Sequence, residues 1–374
     1  MQEKIRFVVR ASEVGKNMSA LCREFGISRP TGYDWLKRYR EEGSFGALVE
    51  LSRCPHTSPL ATEERVEQRV VQLREQYGWG GKKLEVLLAR EGVTLSVPTV
   101  NRILKRRDMI LKKDSHRPAQ KRFERASPNE LWQMDFKGEF HYRQGVCYPL
   151  SILDDHSRFA VGLHALESVK LEGVQRAVRK TFSCYGLPQA LLMDHGTPWW
   201  STTNGYGLTR FSVDLIRQGI QLIYGAVGHP QTQGKVERFH RTLSHRISDQ
   251  GRPESLSQWE RWAREFREEY NTIRPHEALG MKPPARLYRP SPRPYRENPP
   301  SWEYASTFQV KNLNSQGCLS HGGRYYFVCE ALAKRRVAIE VLDGKILVRY
   351  RHMYVREIDL RTRQTRALVC RVQD

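Results

Sequence analysis

The strongest constraint on the fold lies between residues 131 and 193, where short apolar runs alternate with an amphipathic stretch. Leu131–Phe136, Tyr148–Leu153, Arg158–His164 and Ala190–Met193 read as strands, and Glu172–Tyr185 reads as a helix stopped by Gly186-Leu187-Pro188. Strands and helices alternating in this way call for a layered α/β arrangement. Two strands carry an aspartate that their surroundings do not explain. Asp135 sits inside Leu131-Trp132-Gln133-Met134-Asp135-Phe136, and Asp194 closes Ala190-Leu191-Leu192-Met193 just where His195-Gly196-Thr197-Pro198 breaks the pattern. Asp194 should therefore project from the carboxyl end of a strand, where open α/β sheets gather ligands.

A third carboxylate comes from a different local structure. Gly234 to Leu243 reads as a helix whose apolar stripe is Val236, Phe239, Leu243 and Ile247, with Glu237 beside it. Packing through Val236 and Phe239 would aim Glu237 over the sheet edge, toward Asp135 and Asp194. Three carboxylates at one edge suit hard divalent cations, which take oxygen ligands. Two such ions, roughly 3.5–4 Å apart, activate an attacking hydroxyl and stabilise the leaving oxygen of an in-line displacement.

Several ordered runs carry a resemblance: Trp132-Gln133-Met134-Asp135-Phe136, Asp154-Asp155-His156-Ser157-Arg158, Met193-Asp194-His195-Gly196, and Pro230 through Arg238. Over residues 126–290 they resemble the integrase core of bacterial insertion-sequence transposases, in the retroviral-integrase superfamily with its ribonuclease-H-like fold. The resemblance implies that Asp135, Asp194 and Glu237 take the places of the DDE triad, both catalytic and metal-binding. It also implies two magnesium ions, with manganese able to substitute. The sequence departs from the family pattern at His195, where asparagine is commoner, and in the 42 residues between Asp194 and Glu237. The extra length is assigned to Trp199–Arg210, a Gly-, Thr- and aromatic-rich loop expected to bulge between strand and helix.

The formal net charge of +21 points to a polyanionic partner, and its distribution says more than its size. Residues 1–125 carry +10, 126–280 only +1, and 281–374 again +10. A near-neutral middle between two basic arms suits a protein whose arms hold phosphate backbone while its core concentrates metal. No apolar run approaches membrane-spanning length, and Met1–Arg6 lacks the features of a signal peptide. The seven cysteines show neither a CxxC pair nor zinc-ligand spacing, which fits reduced thiols. The expectation is a cytoplasmic, nucleoid-associated protein with no membrane and no small-molecule substrate.

Five segments follow: a helix-turn-helix domain over 1–53, a second helical, winged or helix-turn-helix-like DNA-binding domain over 60–113, a basic linker over 114–127, the integrase core over 128–290, and a small β-barrel over 301–374. In the first, Ser19–Phe25 forms a short helix, Gly26 the turn, and Ser28 caps a second helix whose Tyr33, Trp35, Leu36 and Tyr39 face inward. Arg29, Thr31, Lys37 and Arg38 remain for DNA. In the second, Thr62 opens a helix ended by Gly78, Lys82–Arg90 makes another, and Pro98–Arg107 is a candidate recognition helix that offers Asn101, Arg102 and Lys105. From Arg102 to Arg125 there are 10 basic and 3 acidic residues, as expected of a segment tracking the DNA backbone.

Around the carboxylates, Lys235, Arg238 and Arg241 are candidate phosphate contacts, and His195, Trp199 and Trp200 are possible auxiliaries, the tryptophans by stacking on bases or by packing in the loop. The Asp154-Asp155 pair is read as a turn builder, with its side chains bonding nearby amides and Arg158 as charge partner. Arg274–Gly280 reads as a structural clasp. Beyond the Pro-rich stretch to Pro300, Val337, Ile339 and Val341 alternate up to Asp343-Gly344, and Ile346, Val348 and Tyr350 follow, a type I′ hairpin signal. The resulting expectation is a transposase that binds double-stranded DNA at its element ends and at the target, and works as a homodimer or larger assembly. The alternative is a non-catalytic DNA-binding regulator on the same scaffold. A nuclease acting on RNA hybrids is disfavoured by the tandem helix-turn-helix units.

Overall fold

The computed structural model describes residues 1–50, 61–110, 124–201, 207–225 and 234–368. Cys54–Pro59, most of the basic linker, Pro230–Gln233 and the centre of the Trp199–Arg210 insertion lie outside the described residues. The chain divides into two compact units, Met1–Glu63 and Glu64–Asp374.

The first unit contains α1 (Gln2–Ala11), α2 (Met18–Glu24) and α3 (Arg29–Glu42). Its core is Phe7, Val8, Leu21, Cys22, Leu36 and Leu48, with the Phe7 ring edge-on to Phe25 and Trp35. The starts are capped as their residue types dictate. Asn17 accepts the Ser19 and Ala20 amides, and Ser28 accepts Thr31 N–H. Gly26, in the left-handed region at φ 63°, makes the turn between α2 and α3. Tyr33 departs from the expected inward aromatic face: it is 56% exposed, and Trp35, Leu36 and Tyr39 do the packing. The period of α3 therefore places Gly32, not Tyr33, inward. A Cβ at Gly32 would lie 2.7 Å from Phe7 Cζ and 2.8 Å from Cys22 Sγ.

The second unit begins with α4 (Glu64–Tyr77), α5 (Gly81–Arg90) and α6 (Val97–Arg106), which share Val70, Leu73, Leu84, Leu88, Val100 and Ile103. Gly78, at φ 67°, ends α4, and Ser96 caps α6. Then come β1 (Leu131–Phe136), β2 (Phe140–Tyr142), β3 (Gly145–Asp154), β4 (Ala160–Leu166), α7 (Leu171–Tyr185), β5 (Ala190–Met193), β6 (Trp200–Ser201), β7 (Gly207–Leu208), α8 (Arg210–Arg217), β8 (Gln221–Tyr224), α9 (Gly234–Gln250) and α10 (Leu256–Glu268). β3 pairs antiparallel with β4, β2 and β1, whereas β1, β5 and β8 run parallel. The order β4-β3-β1-β5-β8 is a mixed sheet, as expected for the α/β core.

Both faces of the sheet are covered. Trp132, Met134, Leu150 and Ile152 meet α7 and α8 residues such as Val178, Phe182, Val213 and Ile216 on one side. Leu153, Leu163 and Ala165 meet Phe239, Leu243, Trp259 and Phe266 of α9 and α10 on the other. α9 also reaches the helical module: Arg246 donates to Gln76 O at 2.6 Å and pairs with Glu269 at 2.6 Å. Arg274, in the clasp, lies over the Trp79 ring at 5.3 Å.

The C-terminal strands are β9 (Gln309–Asn312), β10 (Cys318–His321), β11 (Arg324–Phe327), β12 (Arg336–Leu342), β13 (Lys345–Tyr350), β14 (Met353–Asp359) and β15 (Thr365–Ala367). The β12–β13 hairpin turns at Asp343-Gly344 with both φ values positive, 50° and 75°, as a type I′ turn requires. The expected barrel is not found among the described residues. Among the described residues, β15-β14-β13-β12-β9 is an open antiparallel sheet and β10-β11 a separate hairpin. The reason lies in where the apolar face goes. Val337, Ile339, Ile346, Val348 and Ile358 join the same cluster as Ile216, Ile220 and Leu222, so the core covers this face and closure is unnecessary. Val341, expected on that face, is 52% exposed.

The described cysteines are free thiols, and among the described residues no helix is long and apolar enough to cross a membrane.

Two outcomes are expected. Gly32→Ala should destabilise the first unit by about 1–3 kcal/mol through overpacking against Phe7 and Cys22, read by urea unfolding. His164, which bonds Thr181 Oγ1 at 2.7 Å, has its pKa lowered to about 4 by burial and by the nearby cations Arg267 and Lys180. The unfolded chain takes up that proton first, so the stability it confers is present above the unfolded pKa of about 6.5 and lost as pH falls toward 4. His164→Gln should make the fall in stability across that window shallower by about one proton, measured as unfolding midpoint against pH.

Candidate active site

Alternation along β1 sorts its residues by task. Trp132 and Met134 enter the α7–α8 core, while Gln133 and Asp135 face the side of α9. Asp135 lies opposite Ser151 in the β1–β3 register. Because β5 runs parallel to β1, Asp194 leaves the sheet at the same end as Asp135. Asp194 is exposed, and its Oδ1 accepts Gly196 N–H at 2.9 Å and the Trp199 indole N–H at 2.6 Å. The Trp199 ring stacks on Phe136, with centroids 5.4 Å apart, so one side chain braces both Asp194 and the residue next to Asp135.

Glu237 stands in the first turn of α9, exposed, next to buried Val236. One turn on, His240 is buried, and its Nε2 shares a 2.9 Å hydrogen bond with Ser151 Oγ. Its Nδ1 lies 3.7 Å from Asp135 Oδ2, beyond hydrogen-bonding range. Burial, and secondarily Lys137, lower the His240 pKa to about 3, so the ring is neutral and braces the site by shape and its Ser151 bond. A groove of about 490 Å³ runs along α9, lined by Glu237, Arg241, Ser244, His245 and Ser248 together with Lys137 and His240.

The carboxylates act on one another through their charge. Asp135 is pushed up to about 7, first by burial, then by the charge of Asp194 and more weakly by that of Glu237; the Phe136 amide and Lys137 act in the opposite sense. The charges of Asp194 and Glu237 are thus both felt at Asp135, with Lys137 acting against them. An all-oxygen donor set under mutual repulsion is chemically suited to a hard divalent cation. Among the described residues, however, no three His, Cys, Asp or Glu side chains form a ready-made metal cage. Residues 226–233, outside the described residues, lead directly into α9.

The remaining candidates have varied surroundings. Arg29 and Lys37 are exposed on α3, with Lys37 3.8 Å from Glu41. The Thr31 hydroxyl lies 2.7 Å from Ser28 Oγ, and Arg38 donates to Val49 O at 2.8 Å. On α6, Asn101, Arg102 and Lys105 are exposed, whereas Arg106 and Arg107 pair with Glu67 and Glu64. Arg238 and Arg241 are exposed on α9. Lys235 is turned inward instead, 2.6 Å from the buried carboxylate of Asp155. Trp199 and Trp200, 1% and 7% exposed, are core residues; β6 and β7 pair antiparallel within the insertion. His195 is half-buried, edge-on to Trp200 at 4.9 Å.

Asp154 takes the turn-building part read from its sequence: Asn129 N–H, Ser157 N–H and Ser157 O–H all donate to it. Arg158 pairs with Glu124 at 3.0 Å. Sequence reasoning did not assign Gln133, Ser151 or His240. The available signals were position: Gln133 shares the strand face of Asp135, and His240 lies one helical turn after Glu237.

At low pH Asp135 is protonated and close to isosteric with asparagine, whereas above pH 7 the wild type carries the repelled charge. Its raised pKa therefore gives stability that is present below the unfolded value of 3.8 and lost as pH rises to about 7. Without added metal, Asp135→Asn should match the parent near pH 4 and exceed its stability at pH 8 by about 2–4 kcal/mol. Thermal unfolding at the two pH values provides the check.

Residues 125–230 and 218–284 match integrase core domain families, and residues 1–49 and 31–104 match homeodomain-like domain families. An uncharacterized 39.2 kDa protein of insertion element IS476 from Xanthomonas euvesicatoria is 24% identical over 61% of this chain and 66% of its own length. The transposase for transposon Tn552 from Staphylococcus aureus is 21% identical over 65% of this chain and 55% of its own length. An uncharacterized 31.7 kDa protein of insertion element IS407 from Burkholderia multivorans is 24% identical over 64% of this chain and 87% of its own length. The chain thus spans about two thirds of the first of these relatives and just over half of the second. A chain of the simian T-cell lymphotropic virus intasome, solved with the PP2A regulatory subunit B56 gamma, matches 80% of this chain and 99% of its own at 16% identity and a TM-score of 0.38. Separate segments of the chain thus match integrase core and homeodomain-like domain families, and the relatives described above are two insertion-element proteins and a transposase.

Proposed function

We propose that this integrase-core protein is a DNA transposase that binds the terminal inverted repeats of an insertion sequence and catalyses metal-dependent DNA cleavage and strand transfer. The observation that carries the reading is the shared field at Asp135, where two further carboxylates from separate elements raise its pKa. Helix-turn-helix segments and a basic excess outside the core support a duplex DNA substrate.

In this reading Asp135, Asp194 and Glu237 are the metal ligands. Magnesium, or manganese in its place, would supply Lewis acidity at the scissile phosphate and lower the pKa of the attacking hydroxyl. The protein's part is geometry. Trp199 holds Asp194, and His240 is bonded to Ser151, which lies opposite Asp135 on the neighbouring strand. Arg238 and Arg241, on the helix that presents Glu237, reach phosphate oxygens, while Arg29 and Lys37 of α3 and Asn101, Arg102 and Lys105 of α6 contact the element end. Water attacks the phosphorus and the P–O3′ bond breaks, releasing a 3′-hydroxyl. That hydroxyl attacks a target phosphorus, and the target's own 3′ oxygen leaves. Neither step needs a covalent protein intermediate, because positioning and charge neutralisation lower the barrier. Joining two ends to one target calls for a homodimer or larger assembly on DNA.

One observation favours a second reading, a DNA-binding regulator: the described residues contain no ready-made cage of three metal-ligating side chains. The two are separated by incubating the protein with labelled element ends and magnesium. A regulator shifts mobility and yields no cut or joined product. For the transposase, Asp135→Asn, Asp194→Asn and Glu237→Gln should each lower strand transfer by about three orders of magnitude or more while end binding persists. Retained activity in folded variants would remove the assignment.

A further inference from the structure

We infer that Asp155 is a positioning residue for the helix that carries Glu237, and that Lys235 is the peg it holds. This rests on the reading of Glu237 as an active-site carboxylate. Asp155 and its neighbour have divided their work. Asp154 bonds within its own turn and to Asn129, whereas Asp155 gathers donors from three separate parts of the chain. Arg125 N–H, at the end of the linker entering the core, donates to Oδ2 at 2.8 Å. The Gln133 side-chain amide, on β1, donates to Oδ1 at 2.8 Å. Lys235, in the first turn of α9, brings its ammonium to 2.6 Å from Oδ2. The Asp155 side chain is wholly buried and Lys235 is 16% exposed.

The first turn of an α-helix has amide donors with no acceptor within the helix. In α9 one of them, Val236 N–H, donates to Gln133 Oε1 at 3.3 Å. The start of α9 is therefore fastened twice to one anion, directly through Lys235 and indirectly through Val236 and Gln133. Glu237 is the next residue, and Asp135 lies two residues along the strand from Gln133, on the same face. Asp155 thereby fixes the register between the strand bearing one carboxylate and the helix bearing another. A buried carboxylate that has lost its counter-ion is strongly unfavourable, which draws Lys235 inward and away from solvent phosphate.

The test uses the full chain with Lys235→Met, which keeps the stem and removes the charge, Lys235→Arg, which restores it, and Asp155→Asn. Amide hydrogen exchange is followed at residues 236–240, with α7 as internal reference. Lys235→Met and Asp155→Asn should speed exchange in the first turn of α9 by roughly tenfold while α7 stays at the parental rate, and Lys235→Arg should recover most of the protection. In a strand-transfer assay the same two variants should need several-fold more magnesium for half-maximal rate, with unchanged affinity for end DNA. Parental exchange at 236–240, or acceleration spread equally over α7 and α9, would overturn the inference. If Asp155→Asn does not fold, Lys235→Met carries the test alone. Local acceleration in a protein whose parent never cuts DNA would support the latch and sink the transposase reading, so the two stand or fall separately.

Discussion

The structure depends on the burial of β1 between two helical layers. A strand covered on both faces must place alternate residues in different surroundings, and here that alternation separates structure from chemistry. Trp132 and Met134 fill the α7–α8 core, while Gln133 and Asp135 look toward α9. The parallel neighbour β5 delivers Asp194 at the same end, and the antiparallel neighbour β3 supplies Ser151 across from Asp135. Shifting β1 by one residue would send the tryptophan to the polar side and the aspartate into the hydrocarbon core. Hydrophobic burial therefore enforces the register on which the carboxylate edge depends.

The carboxylate edge itself opposes folding. Asp135 is held in a field that disfavours its charge, and His240 is kept neutral beside it. Such local conflict survives where surrounding packing over-determines it, and it is concentrated at functional positions. The compensation is identifiable: Trp199 is buried to its indole nitrogen to hold Asp194, and Phe239, Leu243 and Ile247 anchor α9 against the sheet.

Much of this was legible in the sequence because it follows from periodicity. The strands of the core, the apolar stripe of α9, the caps at Ser28 and the turn at Asp343-Gly344 all depend on local patterns that survive folding. What was not legible depends on distant partners. Nothing near Lys235 reveals that Asp155, 80 positions earlier, turns it inward, and the Gly-, Thr- and aromatic-rich context of Trp199 and Trp200 left stacking on bases and packing in the loop both open. The barrel failed for a related reason. Alternation in β12 and β13 specifies an apolar face but not what covers it, and here α8 and β8 cover it.

The span of α9 has a mechanical consequence. Glu237 lies in its first turn, and Arg246, nine residues on, is bonded to the Gln76 carbonyl at the end of α4. A helix segment of that length is a stiff rod of roughly 13 Å. Pivoting it by about 4° at the α4 end would swing the glutamate by ~1 Å, the scale of misplacement that costs a catalyst about a hundredfold in rate. The helical module thus has its hand on a lever whose far tip is Glu237.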